Sequence, residues 1–129
     1  MIIGLSLPSC TAINDQALAD AIAGVLELVV QQNVAYFNAN PDAPCCLDCG
    51  KFKYREPPFT QRFTAACAED VLRLGYAGCA GAACYMAAKD RLKGKACRVL
   101  VTANGPRDFH AVVQYPDGSI YDPTLDMPS

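Results

Sequence analysis

The spacing of apolar residues in this chain changes once, near Cys97, and that change limits the folds available to it. Before Cys97 the apolar residues recur every three or four positions, which indicates helices, and after it they alternate, which indicates strands. The predicted helices span residues 14–38, 60–74 and 80–92, and the predicted strands span 98–102, 109–115 and 119–121. Since helices come first and hairpin-linked strands follow, we predict an α+β domain whose N-terminal helices pack on a small antiparallel β-meander.

Length and charge narrow the class of protein further. The chain has 129 residues, of which 52% are hydrophobic, and a net charge of -2. This size suits one domain over residues 1–129, with the long first helix at 14–38. A negative net charge gives no general attraction for phosphate backbones or acidic lipid, so we expect neither nucleic acid nor membrane as a partner.

The N-terminal segment lacks the features of a secretion signal. Residues 1–10 are largely apolar but contain no Lys or Arg. The longest apolar stretch after them, residues 17–30, is interrupted by Asp20 and Glu27 and is shorter than the roughly 20 residues that span a bilayer. We therefore expect a chain that stays in a reducing cytoplasm, where disulfides rarely form.

The single histidine and an aspartate fall on neighbouring predicted strands. His110 lies in the strand 109–115, and Asp122 follows one hairpin later. The turn sequence Pro116-Asp-Gly118 suits a three-residue loop with its glycine in the left-handed conformation. That loop places Asp122 opposite Val112 and on the same sheet face as His110, whereas a two-residue loop would place them on opposite faces. The sequence therefore predicts that the imidazole and the carboxylate meet.

A candidate nucleophile comes immediately before the third predicted helix. Cys79 stands there between Gly78 and Ala80, small residues that let a substrate approach closely. Unpaired amides and the positive end of the helix dipole favour a thiolate at this place, and a neighbouring imidazolium favours it further. Cys79, His110 and Asp122 together suit thiol acyl transfer, in which the histidine takes the thiol proton and the aspartate fixes its tautomer. The amide of Cys79 is the expected first oxyanion donor.

The other seven cysteines do not share this setting. Three fall on positions that indicate the core: Cys67, Cys84 and Cys97. Three more form a cluster that invites a zinc interpretation: Cys45, Cys46 and Cys49. Structural zinc needs four ligands, and the chain offers no second Cys-x-x-Cys pair and no spare histidine, so zinc is the less favoured interpretation. We expect no metal and no cofactor, and Cys10 has no assigned role.

The residues around the three candidates resemble a known family. The resemblance is carried by Gly75-Tyr-Ala-Gly-Cys79, Gly94-Lys-Ala-Cys-Arg98, Phe109-His110-Ala-Val-Val and Tyr121-Asp122-Pro-Thr. In order and spacing they are similar to the pattern of transglutaminase-like (papain-like) cysteine peptidases. The resemblance implies a transglutaminase-like core over residues 60–126, with Cys79 as nucleophile, His110 as base and Asp122 as orienting acid. Because the chain has no Trp, which animal transglutaminases use as an indole donor, we expect hydrolysis of a peptide or isopeptide amide rather than cross-linking.

The upstream half carries a second likeness. Three segments are similar to small transglutaminase-like proteins encoded among bacteriophage structural genes: residues 36–44, 50–57 and 122–127. This likeness implies a phage protein located in the host cytoplasm or on the virion, with phage structural proteins or cell-wall peptide as substrates. Ala80 and Gly81 stand where the family often has acidic residues. A non-enzymatic virion assembly or structural protein that keeps the fold therefore stays open as the alternative.

Overall fold

The long first helix forms as the apolar spacing predicts. In the computed structural model, which describes residues 2–6, 15–44, 52–55, 62–105 and 108–127, helix α1 is Asp15–Ala39. Its buried residues repeat mostly every three or four positions: Ala19, Ile22, Leu26, Val29, Val30, Asn33 and Phe37. This helix packs against helix α3 (Cys79–Leu92) and strand β5 (Arg98–Gly105).

By length and composition alone, α1 is also able to cross a membrane. The apolar stretch of residues 17–30 is shorter than the helix that contains it, because α1 extends over 25 residues. A buried core helix meets the same criterion. Length and composition therefore do not distinguish a membrane-spanning helix from a core helix. The packing of α1 on α3 and β5 is the arrangement of a core helix.

The segment predicted as a second helix, residues 60–74, is divided between a strand and a helix. Arg62–Ala66 forms strand β3, which pairs antiparallel with strand β1 (Ile2–Ser6), and only Ala68–Leu74 forms helix α2. The prediction of one helix was wrong because β3 takes its backbone partners from the N-terminal end of the chain, which local spacing does not reveal. Gly75 ends α2 as predicted, in the left-handed conformation with a φ of 78°.

Two further connections hold α2 in place. Strand β2 (Lys53–Tyr54) pairs in parallel with strand β4 (Tyr76–Ala77), so the segment between the second and third predicted helices contains a short strand. The side-chain oxygen of Asn33 accepts a hydrogen bond from the backbone N–H of Ala68 at 2.8 Å. Since Cys67, the residue before α2, makes no side-chain cap, Asn33 satisfies one amide of the first turn from the neighbouring helix.

The three C-terminal strands form the predicted antiparallel meander. Strands β5, β6 (Asp108–Gln114) and β7 (Ile120–Tyr121) pair in that order. Alternate residues of β6 belong to the core: Phe109, Ala111 and Val113. His110 and Gln114 lie on the other, less buried face. The fold is therefore mixed helix and strand, with α1 and α3 against one face of the meander.

Helix α3 is buried on all sides from Cys79 to Asp90. Its surface consists largely of alanine, which lets neighbouring elements approach closely from every direction. At Gly81 an added Cβ would stand 3.5 Å from the carbonyl oxygen of Ala66. Gly94, with a φ of 85°, follows the end of the helix as predicted.

Two polar anchors fix the C-terminal end of α3. The hydroxyl of Tyr115, the residue after β6, donates to Asp90 Oδ2 at 2.5 Å. Arg91 donates to both carboxylate oxygens of Glu27 on α1, at 2.6 and 2.7 Å. These bonds tie the C-terminal end of α3 to α1 and to the sheet.

Candidate active site

The hairpin between β6 and β7 has the predicted three-residue loop. Gly118 adopts a φ of 87°, and its N–H donates to the carbonyl of Tyr115 at 2.9 Å. The N–H of Tyr115 donates to the carbonyl of Ser119 at 3.0 Å. The β6–β7 register continues from this pair, so Asp122 comes opposite Val112 as predicted. The left-handed glycine is what puts Asp122 on the His110 face of the sheet.

His110 and Asp122 are in direct contact. The imidazole Nε2 lies 2.6 Å from Asp122 Oδ2. The other carboxylate oxygen, Oδ1, accepts from the backbone N–H of Thr124 at 3.0 Å and from its hydroxyl at 2.7 Å. Partial burial raises the pKa of Asp122, but the hydrogen bonds from Thr124 and His110 outweigh it and hold that pKa below its usual range. The carboxylate is therefore ionised near neutral pH.

This contact assigns the two ring nitrogens of His110. An ionised carboxylate only accepts hydrogen bonds, so Nε2 carries the proton that points at Asp122. The lone pair of the neutral ring is then on Nδ1, which is the nitrogen able to take a proton from a nucleophile. With 28% of the His110 side chain and 17% of the Asp122 side chain exposed, the pair is partly reached by solvent.

Cys79 is the first residue of α3 and is only 3% exposed. The residue before it, Gly78, has an extended backbone and no side chain with which to cap the helix. The amides of the first turn are therefore not satisfied by an N-cap side chain, and the helix dipole favours negative charge there. The position at the start of the helix agrees with the prediction, whereas the burial of Cys79 was not expected.

The bond between Asp90 and Tyr115 joins the C-terminal end of α3 to the residue that follows β6. Helix α3 also packs against β6, the strand that carries His110, and Cys79 is the first residue of this helix.

His110 and Asp122 lie in contact on the less buried face of the sheet, whereas Cys79 belongs to the buried core. The 3-10 helix Pro123–Asp126 contacts α3. The structure thus brings His110 and Asp122 together and places Cys79 at the start of the helix packed against their strand.

The other described cysteines have inert surroundings. Burial raises the pKa of the Cys84 thiol far above its ordinary value, and this thiol lies 3.7 Å from the carbonyl oxygen of Leu26. Burial also raises the pKa of Cys67 and of Cys97. Cys67 and Cys84 lie in the core as predicted, whereas Cys97 is half-buried just before β5.

The remaining cysteine predictions concern residues outside the described part of the chain. The unassigned cysteine and the cluster of the zinc interpretation lie outside the described residues: Cys10, Cys45, Cys46 and Cys49. Within the described ranges, no group of three His, Cys, Asp or Glu side chains is arranged to hold a metal ion. The zinc interpretation therefore stays a prediction.

Two hydrogen-bonding contacts were missed by sequence reasoning. Thr124 binds Asp122, and the pattern Asp122-Pro-Thr124 does contain the signal, since an aspartate before proline commonly caps a short helix. The second is the bond between Asp90 and Tyr115, which links residues on different elements and carries no local signal.

No family model, curated protein or solved structure matches the chain. The function is therefore argued from the residues and the geometry of the site, and the transglutaminase-like resemblance stays a prediction.

Proposed function

We propose that this chain is a cysteine-dependent hydrolase of a peptide or isopeptide amide, with Cys79 as nucleophile, His110 as base and Asp122 as orienting acid. The observation that carries the proposal is the 2.6 Å contact between His110 Nε2 and Asp122 Oδ2. This contact leaves Nδ1 as the proton acceptor on the only histidine of the chain. The start of α3, the helix packed against the strand of that histidine, supplies the thiol.

The chemistry follows from these roles. His110 Nδ1 takes the Cys79 proton, and the thiolate attacks the amide carbonyl to give an oxyanion near the first-turn amides of α3. The carbon–nitrogen bond then breaks, and the imidazolium donates its proton to the departing amine. Water next attacks the thioester while His110 accepts its proton, which releases the carboxylic acid and restores the thiol. Asp122 stays ionised and holds the ring orientation throughout.

The class of substrate rests on the sequence resemblance. The transglutaminase-like pattern around Cys79 supports an acyl-transfer fold, and the phage-like segments support phage structural proteins or cell-wall peptide as substrates. The corresponding location is the host cytoplasm or the virion. None of the chemistry assigned to these residues calls for a cofactor.

Acetylation by p-nitrophenyl acetate tests the nucleophile. We expect the acetyl group to be found on Cys79 by mass spectrometry of digested protein, and to be lost from the Cys79→Ala variant. Cys97→Ala is the matched control, because Cys97 is more accessible than Cys79 yet its thiol is not activated. Acetylation of Cys97 at the rate of Cys79 would contradict the proposal.

One observation favours the second candidate, a non-enzymatic virion assembly protein. The thiol of Cys79 belongs to a residue that is only 3% exposed, which suits a packing role. Under this alternative, the protein is bound stoichiometrically in assembled particles and particles carrying Cys79→Ala remain fully infectious. Under the proposed hydrolase, particles carrying Cys79→Ala lose infectivity or stop processing the substrate.

A further inference from the structure

Asp122 is held from the side opposite His110 by a single residue. Oδ1 of Asp122 accepts two hydrogen bonds, both from Thr124, with the backbone N–H at 3.0 Å and the hydroxyl at 2.7 Å. Asp122 is also the residue before the 3-10 helix, and Pro123 at its first position has no N–H to offer. Thr124 is therefore the first residue of this helix whose amide reaches the carboxylate.

The two hydrogen bonds from Thr124 to Asp122 are largely shielded from water. Thr124 is 7% exposed and Pro123 is fully buried. A hydroxyl in such a place has little solvent competing for its bond, although 17% of the Asp122 side chain is exposed. With Oδ1 held twice, the carboxylate cannot rotate freely, and its second oxygen faces His110 Nε2.

Thr124 also connects the pair to the helix of Cys79. The 3-10 helix that contains it contacts α3. A displacement of this helix would move Asp122, and with it the imidazole, relative to the start of α3.

We infer that Thr124 is a positioning residue of the site: its hydroxyl fixes the Asp122 carboxylate so that His110 keeps the proton on Nε2 and presents Nδ1 to Cys79. The role of the imidazole toward the thiol rests on the proposed function. The fixed tautomer itself does not, since it depends only on the described contacts among His110, Asp122 and Thr124.

Nitrogen-15 NMR of the neutral imidazole tests the inference. His110 is the only histidine, so its two nitrogen resonances are unambiguous. In the unmodified chain we expect a single tautomer with the proton on Nε2. Thr124→Val, which keeps the shape but removes the hydroxyl, is expected to show a mixture of both tautomers. Thr124→Ser, which keeps the hydroxyl, is expected to restore the single tautomer.

The same variants give a second readout on Cys79. We expect Thr124→Val to slow acetylation of Cys79 by p-nitrophenyl acetate roughly 10-fold, and Thr124→Ser to acetylate at nearly the original rate. If Thr124→Val does not fold, Thr124→Ala supplies the same comparison. A single Nε2–H tautomer in the folded valine or alanine variant would overturn the inference. Absence of Cys79 acetylation in the unmodified chain would instead overturn the proposed function and leave the NMR test of Thr124 valid.

Discussion

Replacing His110 with alanine is expected to slow the acetylation of Cys79 by p-nitrophenyl acetate about 10³-fold, since a positioned base contributes roughly that factor. Asp122→Asn is expected to slow it about 10- to 100-fold, because it removes a charge-assisted bond to the imidazole rather than the imidazole itself. The rates are measured by mass spectrometry of the Cys79 peptide at neutral pH.

Gln114→Ala is the matched control for these variants. Gln114 lies on the same strand and the same sheet face as His110, and its side chain bonds Arg98 at 2.9 Å rather than the site. We expect its acetylation rate to stay close to that of the unmodified chain. An equal rate for His110→Ala and Gln114→Ala would show that the imidazole does not act on the thiol.

Tyr85→Ala is expected to lower the free energy of unfolding by about 3–5 kcal/mol, the usual cost of removing a buried aromatic ring. Tyr85 lies on α3, is 0% exposed, and packs edge-to-face on Phe37 of α1 with ring centroids 4.8 Å apart. Its loss would leave a cavity between the two helices, which we expect chemical denaturation to register.

Tyr85→Phe separates the ring from its hydroxyl. The hydroxyl donates to the carbonyl of Pro44 at 2.6 Å, so this variant loses one hydrogen bond but keeps the packing with Phe37. We expect it to lower the free energy of unfolding by about 1–2 kcal/mol. A loss for Tyr85→Phe as large as for Tyr85→Ala would mean that the hydrogen bond to Pro44, and not the ring packing on Phe37, supplies the stabilisation at Tyr85.

Features that depend on neighbouring residues were predictable from the sequence. The first helix was predicted at 14–38 and is Asp15–Ala39, because its apolar residues repeat at the helical period. The pairing of His110 with Asp122 was predictable because Gly118 and its neighbours determine the loop length, and the loop length determines which residues share a face.

Features that depend on distant partners were not predictable in this way. Strand β3 was taken for part of a helix because its partner strand β1 lies at the other end of the chain. The burial of Cys79 was likewise not predicted, and neither was the bond that anchors α3 through Asp90 and Tyr115. That bond joins two elements whose relative position has no local signature in the sequence.

The pH dependence of alkylation by iodoacetamide tests most directly whether Cys79 is an activated nucleophile. The rate at Cys79 and at Cys97 is followed by mass spectrometry in the unmodified protein from about pH 5 to 9. The account predicts that Cys79 reacts faster than Cys97 at neutral pH, and that its rate rises by less than tenfold per pH unit between about pH 6 and 8. A Cys79 rate that is no faster than the Cys97 rate, and that rises tenfold per pH unit across this range as for an ordinary thiol, would contradict it.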